Sequence, residues 1–443
     1  MNKDESKLGV AIVGCGTVGG AAAAILTNDA QGLRARCGME MDLLHIVDVD
    51  FSHAEELGLD SRLFRTDLAK VLADTSVDVV VELVGGTTKA REIIKKAIAA
   101  DKHVVTANKA LLAHHGVELW ALARRHNVCI GFEASCGGGI PIIRALCGGL
   151  IANRIDALFG IVNGTCNYIL TAMMLHGQTY AQALGQAQSE GLAEADPTLD
   201  VAGVDSAHKL AIMGALAFAR QIDFEAIPTY GIDDLDLCDI RYGQELGYVV
   251  KLLAIAQRQA DGLSLRVRPA FISKEHPLAW VSGPFNAISV YGHAIGHTMY
   301  YGRGAGGLPT ASAAVADITA VAVGTAQREF AALGIWPDRC QPADQLPIEA
   351  VRSRYYIRVI ADDQPGVLAQ IAAILGRYDI SICSVLQHES LHADMARGVP
   401  VVITTYHARE GNVQKALREV DALEVIKAKT VCLGIVDEHP EEL

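Results

Sequence analysis

Several things are missing from this sequence, and each absence narrows what the chain can be. There is no basic excess: over 443 residues the formal charge is −13. With no basic stripe to offset that acidity, nucleic acid is not an expected partner. No run of about twenty uncharged apolar residues occurs, so no membrane-spanning segment is expected. The ten cysteines form no CxxC pairs and have no histidines at zinc spacing, a usage that fits reduced thiols in a cytosol. The opening MNKDESKLGVAIVG carries acids and lacks the cleavable apolar core of a signal peptide. Cytoplasm is the expected compartment.

Hydrophobic residues are plentiful, at 51%, enough for two or three globular domains with separate cores. Leu8–Val13 reads as a buried strand. It runs into Gly14-Cys-Gly16-Thr17-Val18-Gly19 and then an alanine-rich helix. Strand, GxGxxG and helix in that order put backbone N–H groups and a helix N-terminus where a pyrophosphate can sit. A second strand, Leu43–Asp48, ends in an acid suited to the adenine ribose hydroxyls and hostile to a 2′-phosphate. No Arg or Lys follows until Arg62, which favours NAD over NADP. The spacing from Gly19 exceeds the usual twenty or so residues, so a polar loop over Asn28–Glu40 is expected to absorb the surplus, with Asp50 the alternative anchor. Further strands follow at Val77–Val84 and His103–Thr106, separated by a helix over Lys89–Ala100. This alternation describes a doubly wound, Rossmann-like parallel sheet. Thr87, Thr106 and Lys109 fall near carboxyl ends of its strands, where ligands bind in such folds.

The segment Gly191 to Lys209 sets Glu194, Asp196, Asp200 and Asp205 ahead of a lysine and an apolar helix. Asp196 is a candidate N-cap, and Pro197 suits a first helical turn. If the helix continues, Asp205 and Lys209 lie four apart on one face and touch. A lysine beside a carboxylate near apolar walls is a good proton donor to a developing alkoxide, although spacing alone favours an ordinary surface ion pair.

Glu133-Ala-Ser-Cys136-Gly-Gly138-Gly-Ile140-Pro has a backbone able to turn carbonyls toward a hard monovalent cation, or to serve as a hinge. Cys136 admits a rival chemistry, a thiolate forming a thioester with an aldehyde. Asn163 and Thr165 begin a helix as caps or substrate ligands. The loop at Gly302–Gly307 precedes one long helix, Ala311–Phe330, expected to pack back on the first domain.

Together these segments resemble homoserine dehydrogenases, whose pattern is GxGxVG, TANK, EAxxGGGIP, NGTxNYIL, GxxExDPxxDxxGxDxxxK and GxGAGxxPTAS. The chain reads GCGTVG, TANK, EASCGGGIP, NGTCNYIL, GLAEADPTLDVAGVDSAHK and GRGAGGLPTAS in that order, from residue 8 to about 330. The resemblance implies reversible hydride transfer between L-aspartate 4-semialdehyde and L-homoserine with NADH or NADPH. It implies Lys209 as proton donor, oriented by Asp205, with Lys109 touching both cofactor and substrate. Glu194 would hold the substrate ammonium, supported by Asp200, and Asn163 and Thr165 would line the substrate site. Gly14, Gly16, Thr17, Val18, Gly19, Asp48, Thr87, Thr106 and Gly306 would contact the cofactor. Sodium or potassium would be bound by Glu133, Cys136, Gly138 and Ile140, mainly through backbone oxygens. Many members carry an arginine at the end of the second strand to grip the NADP phosphate; Asp48 here departs from that.

The C-terminal quarter follows a polar, Pro-bearing linker. Strands at Tyr355–Ile360, Ile380–Gln387, Val399–Tyr406 and Leu423–Val431, with helices from Asp362 to Gly376 and over Asn412–Val420, give a ferredoxin-like βαββαβ order. This part resembles the ACT domain, whose DxPGxL loop usually takes a small amino acid at a subunit interface. That implies L-threonine as feedback inhibitor; a purely structural dimerisation module is the alternative. The expected partition is an NAD(P)-binding domain at 1–135, a catalytic and dimerisation α/β domain at 136–335, a linker at 336–353 and an ACT domain at 354–435. A homodimer or homotetramer is expected. A phosphorylating semialdehyde dehydrogenase using Cys136 is the competing enzyme.

Overall fold

The structure, a computed structural model, describes residues 6–388 and 398–439; residues 1–5, where the first domain was drawn to begin, lie outside them. The chain divides into two compact units that interleave in sequence. One comprises Met1–Leu158, Asp205–Phe224 and Phe285–Ala343, and the other Phe159–Val204, Glu225–Pro284 and Asp344–Leu443. A linear partition misses this, because the Lys209 segment returns to the unit that holds the first strands.

In the first unit six parallel strands, β1 (Lys7–Val13), β2 (Glu40–Val47), β3 (Phe64–Arg65), β4 (Val79–Glu82), β5 (His103–Thr106) and β6 (Ile130–Gly131), lie in the order β3-β2-β1-β4-β5-β6. Chain order reverses between β1 and β4, which opens a crevice at their carboxyl ends. Val10, Ala11, Ile12, Val79, Val80 and Val81 are fully buried, as continuous apolar runs must be when both faces of a sheet are covered. The expected loop over Asn28–Glu40 is largely a helix, Ala30–Cys37. It buries no residue, so it has no apolar stripe to betray it. Arg34 and Arg36 in its last turn and a left-handed Gly38 end it favourably. The long helix expected over Ala311–Phe330 is two, Gly307–Ala322 and Thr325–Ala332, because Gly324 adopts a left-handed turn at φ 77°. The first of them packs against helix Thr17–Asn28.

The second unit contains the βαββαβ fold. Its strands Ile426–Val436, Arg352–Ala361, Val399–Thr405 and Ile382–Leu386 lie adjacent in that order and antiparallel. Helices Val367–Arg377 and Glu410–Asp421 cover them over a core that includes Tyr355, Ile357, Val359, Ile371, Ile374, Val413 and Val420. Unforeseen is the extension of this sheet: Ile426–Val436 pairs in parallel with Gly262–Ser273, itself antiparallel to Tyr248–Gln259. Among the described residues no single helix is long and apolar enough to cross a membrane.

One buried ion pair ties the βαββαβ fold to its own unit. Asp239, 1% exposed on helix Leu237–Glu245, accepts from Arg358 Nε at 2.6 Å and Nη2 at 2.8 Å, and from the Tyr356 hydroxyl at 2.8 Å. Removing the carboxylate would leave a buried guanidinium unpaired. Asp239→Ala is therefore expected to cost about 3–5 kcal/mol, read as faster hydrogen exchange along Arg352–Ala361.

Candidate active site

Three charged side chains of the first unit meet at one point. Asp205 and Lys209 share a face of helix Val204–Phe218, and Lys209 Nζ lies 2.7 Å from Asp205 Oδ2. Lys109 Nζ, from the first turn of helix Lys109–Arg125, lies 2.9 Å from Asp205 Oδ1. One carboxylate thus bridges two ammonium groups. Asp205 and Lys209 are buried; Lys109 is 40% exposed in its side chain. Burial alone would raise the Asp205 carboxyl, but the charges and hydrogen bonds of Lys209 and Lys109 outweigh it and hold the group well below the ordinary carboxylate range. This is a buried pair with its second cation turned toward solvent, not the surface ion pair that spacing also allowed.

Lys109 is aimed by a hydrogen-bonded chain from the sheet. Glu82, fully buried at the end of β4, accepts from the Thr106 hydroxyl at 2.7 Å and from Val84 N–H at 2.9 Å. Thr106 Oγ1 accepts from Asn108 N–H at 3.0 Å. The Asn108 side chain caps the Lys109 helix through Leu111 N–H at 3.0 Å and donates to Gly86 O at 2.7 Å. Burial pushes the Glu82 carboxyl up, against the hydrogen bonds it receives from Thr106, Val84 and Gly85. Thr106, expected at the cofactor, is fully buried, its hydroxyl bonded to Glu82 and Asn108.

The nucleotide loop is built for close approach. Gly14 has φ 95°, and a Cβ there would come within 2.8 Å of the Leu83 carbonyl; a Cβ on Gly19 would lie 1.9 Å from Gly14 O. Gly16 faces open space beside the N-terminus of helix Thr17–Asn28. Those are the three glycine roles a pyrophosphate needs, so the residues present fit a dinucleotide. A cavity of about 260 Å³ lined by Val18, Glu82, Gly85, Gly86, Asn108 and Lys109 continues from this loop to the lysine. Gly306, at φ 120°, begins helix Gly307–Ala322, and a Cβ on Gly307 would meet Thr17 at 3.0 Å. Thr87 instead lines a separate groove with Thr88, Arg91, Lys95, Lys96 and His115. Asp48 stands at the end of β2 as expected, but Oδ2 accepts from Cys15 N–H at 2.5 Å and Oδ1 from Val49 N–H at 2.7 Å. Asp50, the alternative, accepts from Ser52 N–H.

The side chains of the glycine-rich segment are taken up within the protein. The Glu133 carboxylate accepts the N–H groups of Ile143 at 2.9 Å and Arg144 at 2.8 Å, at the start of a helical turn. Its own N–H donates to Asp317, which also takes Arg144 Nη2 at 3.0 Å. Burial and the Asp317 charge push the Glu133 carboxyl up to about 7. Gly138, at φ 54°, sits so close to Gly304 that a Cβ would lie 2.6 Å from its carbonyl carbon. The Ile140 carbonyl accepts Ile142 N–H at 2.8 Å. Among the described residues no group of three or more His, Cys, Asp or Glu could hold a metal ion. Any cation here would depend on backbone oxygens, and Glu133 would contribute none of its carboxylate. Cys136 is fully buried and burial pushes its thiol up to about 12. Such burial weighs against the thiolate reading, and the phosphorylating dehydrogenase that depends on it is not favoured.

The remaining substrate candidates belong to the second unit. Asn163 caps helix Gly164–His176 through Cys166 N–H at 2.8 Å and donates to Asp200 Oδ1 at 2.7 Å. Thr165 Oγ1 donates to Leu192 O at 2.8 Å, Asp196 accepts from Thr198 N–H at 3.1 Å, and Glu194 is exposed. The helix begun near Pro197 does not continue into the lysine helix. It ends at Val201, and Gly203, at φ 84°, turns the chain before Val204, so Asp200 and Asp205 stand on different helices.

Unseen in the sequence was a ring cluster next to the lysines. His208, 8% exposed, stacks on Phe224 with centroids 4.7 Å apart, and His114 meets both rings edge-on. No spacing rule links positions 114, 208 and 224.

A Rossmann-type crevice leading to two ammonium groups on one carboxylate is the layout of a nicotinamide-dependent carbonyl oxidoreductase. Residues 14–133 match the family model "Homoserine dehydrogenase, NAD binding domain", residues 141–319 that of "Homoserine dehydrogenase", and residues 355–424 that of "ACT domain". A homoserine dehydrogenase of Neisseria gonorrhoeae is 43% identical over 97% of this chain and 99% of its own. One from Bacillus subtilis is 36% identical over 94% and 96%. The crystal structure of a homoserine dehydrogenase from Thiobacillus denitrificans superposes with TM-score 0.91 at 42% identity, covering 97% and 98%. A hyperthermophilic archaeal homoserine dehydrogenase in complex with NADPH superposes with TM-score 0.60 at 26% identity over 72% and 98%. The chain belongs to the homoserine dehydrogenase family.

Burial, His114 and the charges of Lys109 and Lys209 push the His208 imidazole down to about 4, against the pull of Asp205. Its unfolded value is near 6.5, so between those values the unfolded chain binds the extra proton. Stability should therefore rise with pH across that window and be lost on acidification. Melting temperatures of the chain and of His208→Phe between pH 7 and 4.5 should diverge, the variant losing less.

Proposed function

We propose that Lys209 is the proton donor when this enzyme reduces L-aspartate 4-semialdehyde to L-homoserine, and that Asp205 and Lys109 set its position and charge. The observation that supports this most is the single carboxylate between two ammonium groups at the mouth of the nucleotide crevice. A bound nicotinamide supplies the hydride. Lys209, paired as an ammonium with Asp205, donates to the aldehyde oxygen as it becomes an alkoxide. Asp205 keeps the ammonium aimed and compensates the charge that burial would otherwise penalise. Lys109, the more exposed of the pair, contacts cofactor and substrate together.

Glu194 and Asp200 are assigned to the substrate ammonium. Asn163 holds the Asp200 carboxylate in place, and Thr165 steadies the Leu192 carbonyl beside them. NADH is the preferred cofactor in this reading, because the Asp48 carboxylate at the end of β2 would repel a 2′-phosphate. Sodium or potassium is assigned to Glu133, Cys136, Gly138 and Ile140, mainly through backbone oxygens, where consecutive left-handed glycines, Gly137 and Gly138, turn the main chain. The ACT domain takes L-threonine at the Asp363-Gln-Pro-Gly366 loop as a feedback inhibitor. A homodimer or homotetramer in the cytoplasm is the working assembly, with the 1–135, 136–335, 336–353 and 354–435 partition describing function and the two compact units describing packing.

Lys209→Ala should lower kcat for aldehyde reduction by about 10²–10⁴-fold with cofactor affinity nearly intact; near-normal turnover would refute the donor role. Regulation is better tested by substitution than by truncation, because Ile426–Val436 completes the sheet at Gly262–Ser273. L-threonine should inhibit the wild-type chain and not Asp363→Ala, whose basal rate should match wild type; equal inhibition of both would reject the loop as effector site.

A further inference from the structure

We propose that His208 is a positioning residue for the reaction, fastening the helix that carries Lys109 to the helix that carries Asp205 and Lys209. This rests on the reading of those lysines given above.

The geometry is a three-ring clasp. His208 follows Asp205 by three residues and directly precedes Lys209 on helix Val204–Phe218. Its ring lies on Phe224 at an interplanar angle of 17° and meets His114 at 5.5 Å between centroids and 66°. His114 in turn meets Phe224 at 4.6 Å and 67°. His114 stands five residues along from Lys109 on helix Lys109–Arg125. The two lysines therefore come from separate helices, and these rings are a lateral contact between those helices close to the ion cluster. Edge-to-face and offset-stacked arrangements like these are favourable beyond simple burial.

Charge explains why the clasp must stay neutral. Two ammonium groups already share one carboxylate, so a third cation at position 208 would face Lys109 and Lys209 with only Asp205 to offset it. Burial and those same cations keep the imidazole uncharged at neutral pH, and it packs as an aromatic body. The main chain alone cannot hold the two lysines in register, because Lys109 and Lys209 are a hundred residues apart. Proton transfer tolerates little slack: a misplacement of about 1 Å can cost about 10²-fold in rate.

The test uses the full-length chain. His208→Ala should lower kcat by about 10- to 100-fold while the KM for the nicotinamide cofactor stays close to wild type, and His208→Phe should recover most of that loss. In a Lys109→Ala background His208→Ala should add little, because the lysine it positions is gone. Should His208→Ala fail to fold, Phe224→Leu serves in its place with the same expected pattern. Wild-type turnover in the substituted clasp would overturn the proposal, as would losses from His208→Ala and Lys109→Ala that multiply independently. An active Lys209→Ala would instead overturn the proton-donor reading, which separates the two failures.

Discussion

A single buried carboxylate holding two ammonium groups is the constraint from which the rest of the site follows. An ammonium taken out of water costs several kcal/mol unless it is paired. Lys209 can be buried only because Asp205 sits one turn before it, and Asp205 can be buried only because it faces two cations. Its place in the first turn of helix Val204–Phe218 helps, since a helix N-terminus favours negative charge. The pair must be delivered by chain segments far apart in sequence. The architecture of the first unit accordingly brings 205–224 back to the sheet built by the first 158 residues.

Around that point the backbone is packed to tolerances only glycine allows. Gly14 and Gly19 bring the nucleotide loop against the segment Leu83-Val84 that leaves β4 and against itself. Gly131 lets Asp317 approach so closely that a Cβ would lie 2.8 Å from the aspartate's own Cβ. Through Asp317, helix Gly307–Ala322 is bonded to Glu133 and Arg144, so the element that starts beside Thr17 is anchored at its far end to the glycine-rich segment. The acids in this layer, Glu82, Glu133 and Asp317, are each held by hydrogen bonds to neighbouring backbone N–H groups or Arg144, and of the three Glu82 also lines the cavity beside Lys109.

Local pattern carried much of this, and its failures have physical causes. The parallel sheet, the GxGxxG turn and the βαββαβ order were legible because each is written in contiguous residues with a clear period. The contact of Asp205 with Lys209 was legible because four residues make one helical turn. Helix Ala30–Cys37 was missed because it buries nothing, and the break at Gly324 because a lone glycine in an apolar stretch reads as tolerated. Lys109 was read as a candidate, but its contact with Asp205 spans 96 residues and no spacing predicts it. The side-chain partners of Glu133 and Thr106 were not legible either, because they are brought together by the fold and not by spacing. Cys136 was ambiguous as a letter and ceased to be so once its full burial was known.

Turnover of Asp205→Asn in aldehyde reduction, at saturating substrate and cofactor, most directly probes whether that shared negative charge drives the chemistry. The substitution keeps the shape of the side chain, removes its charge and leaves one accepting oxygen where there were two. A fall in kcat on the order of 10²-fold or more, with nicotinamide affinity unchanged, is the predicted result; a variant that turns over like the wild type would contradict it.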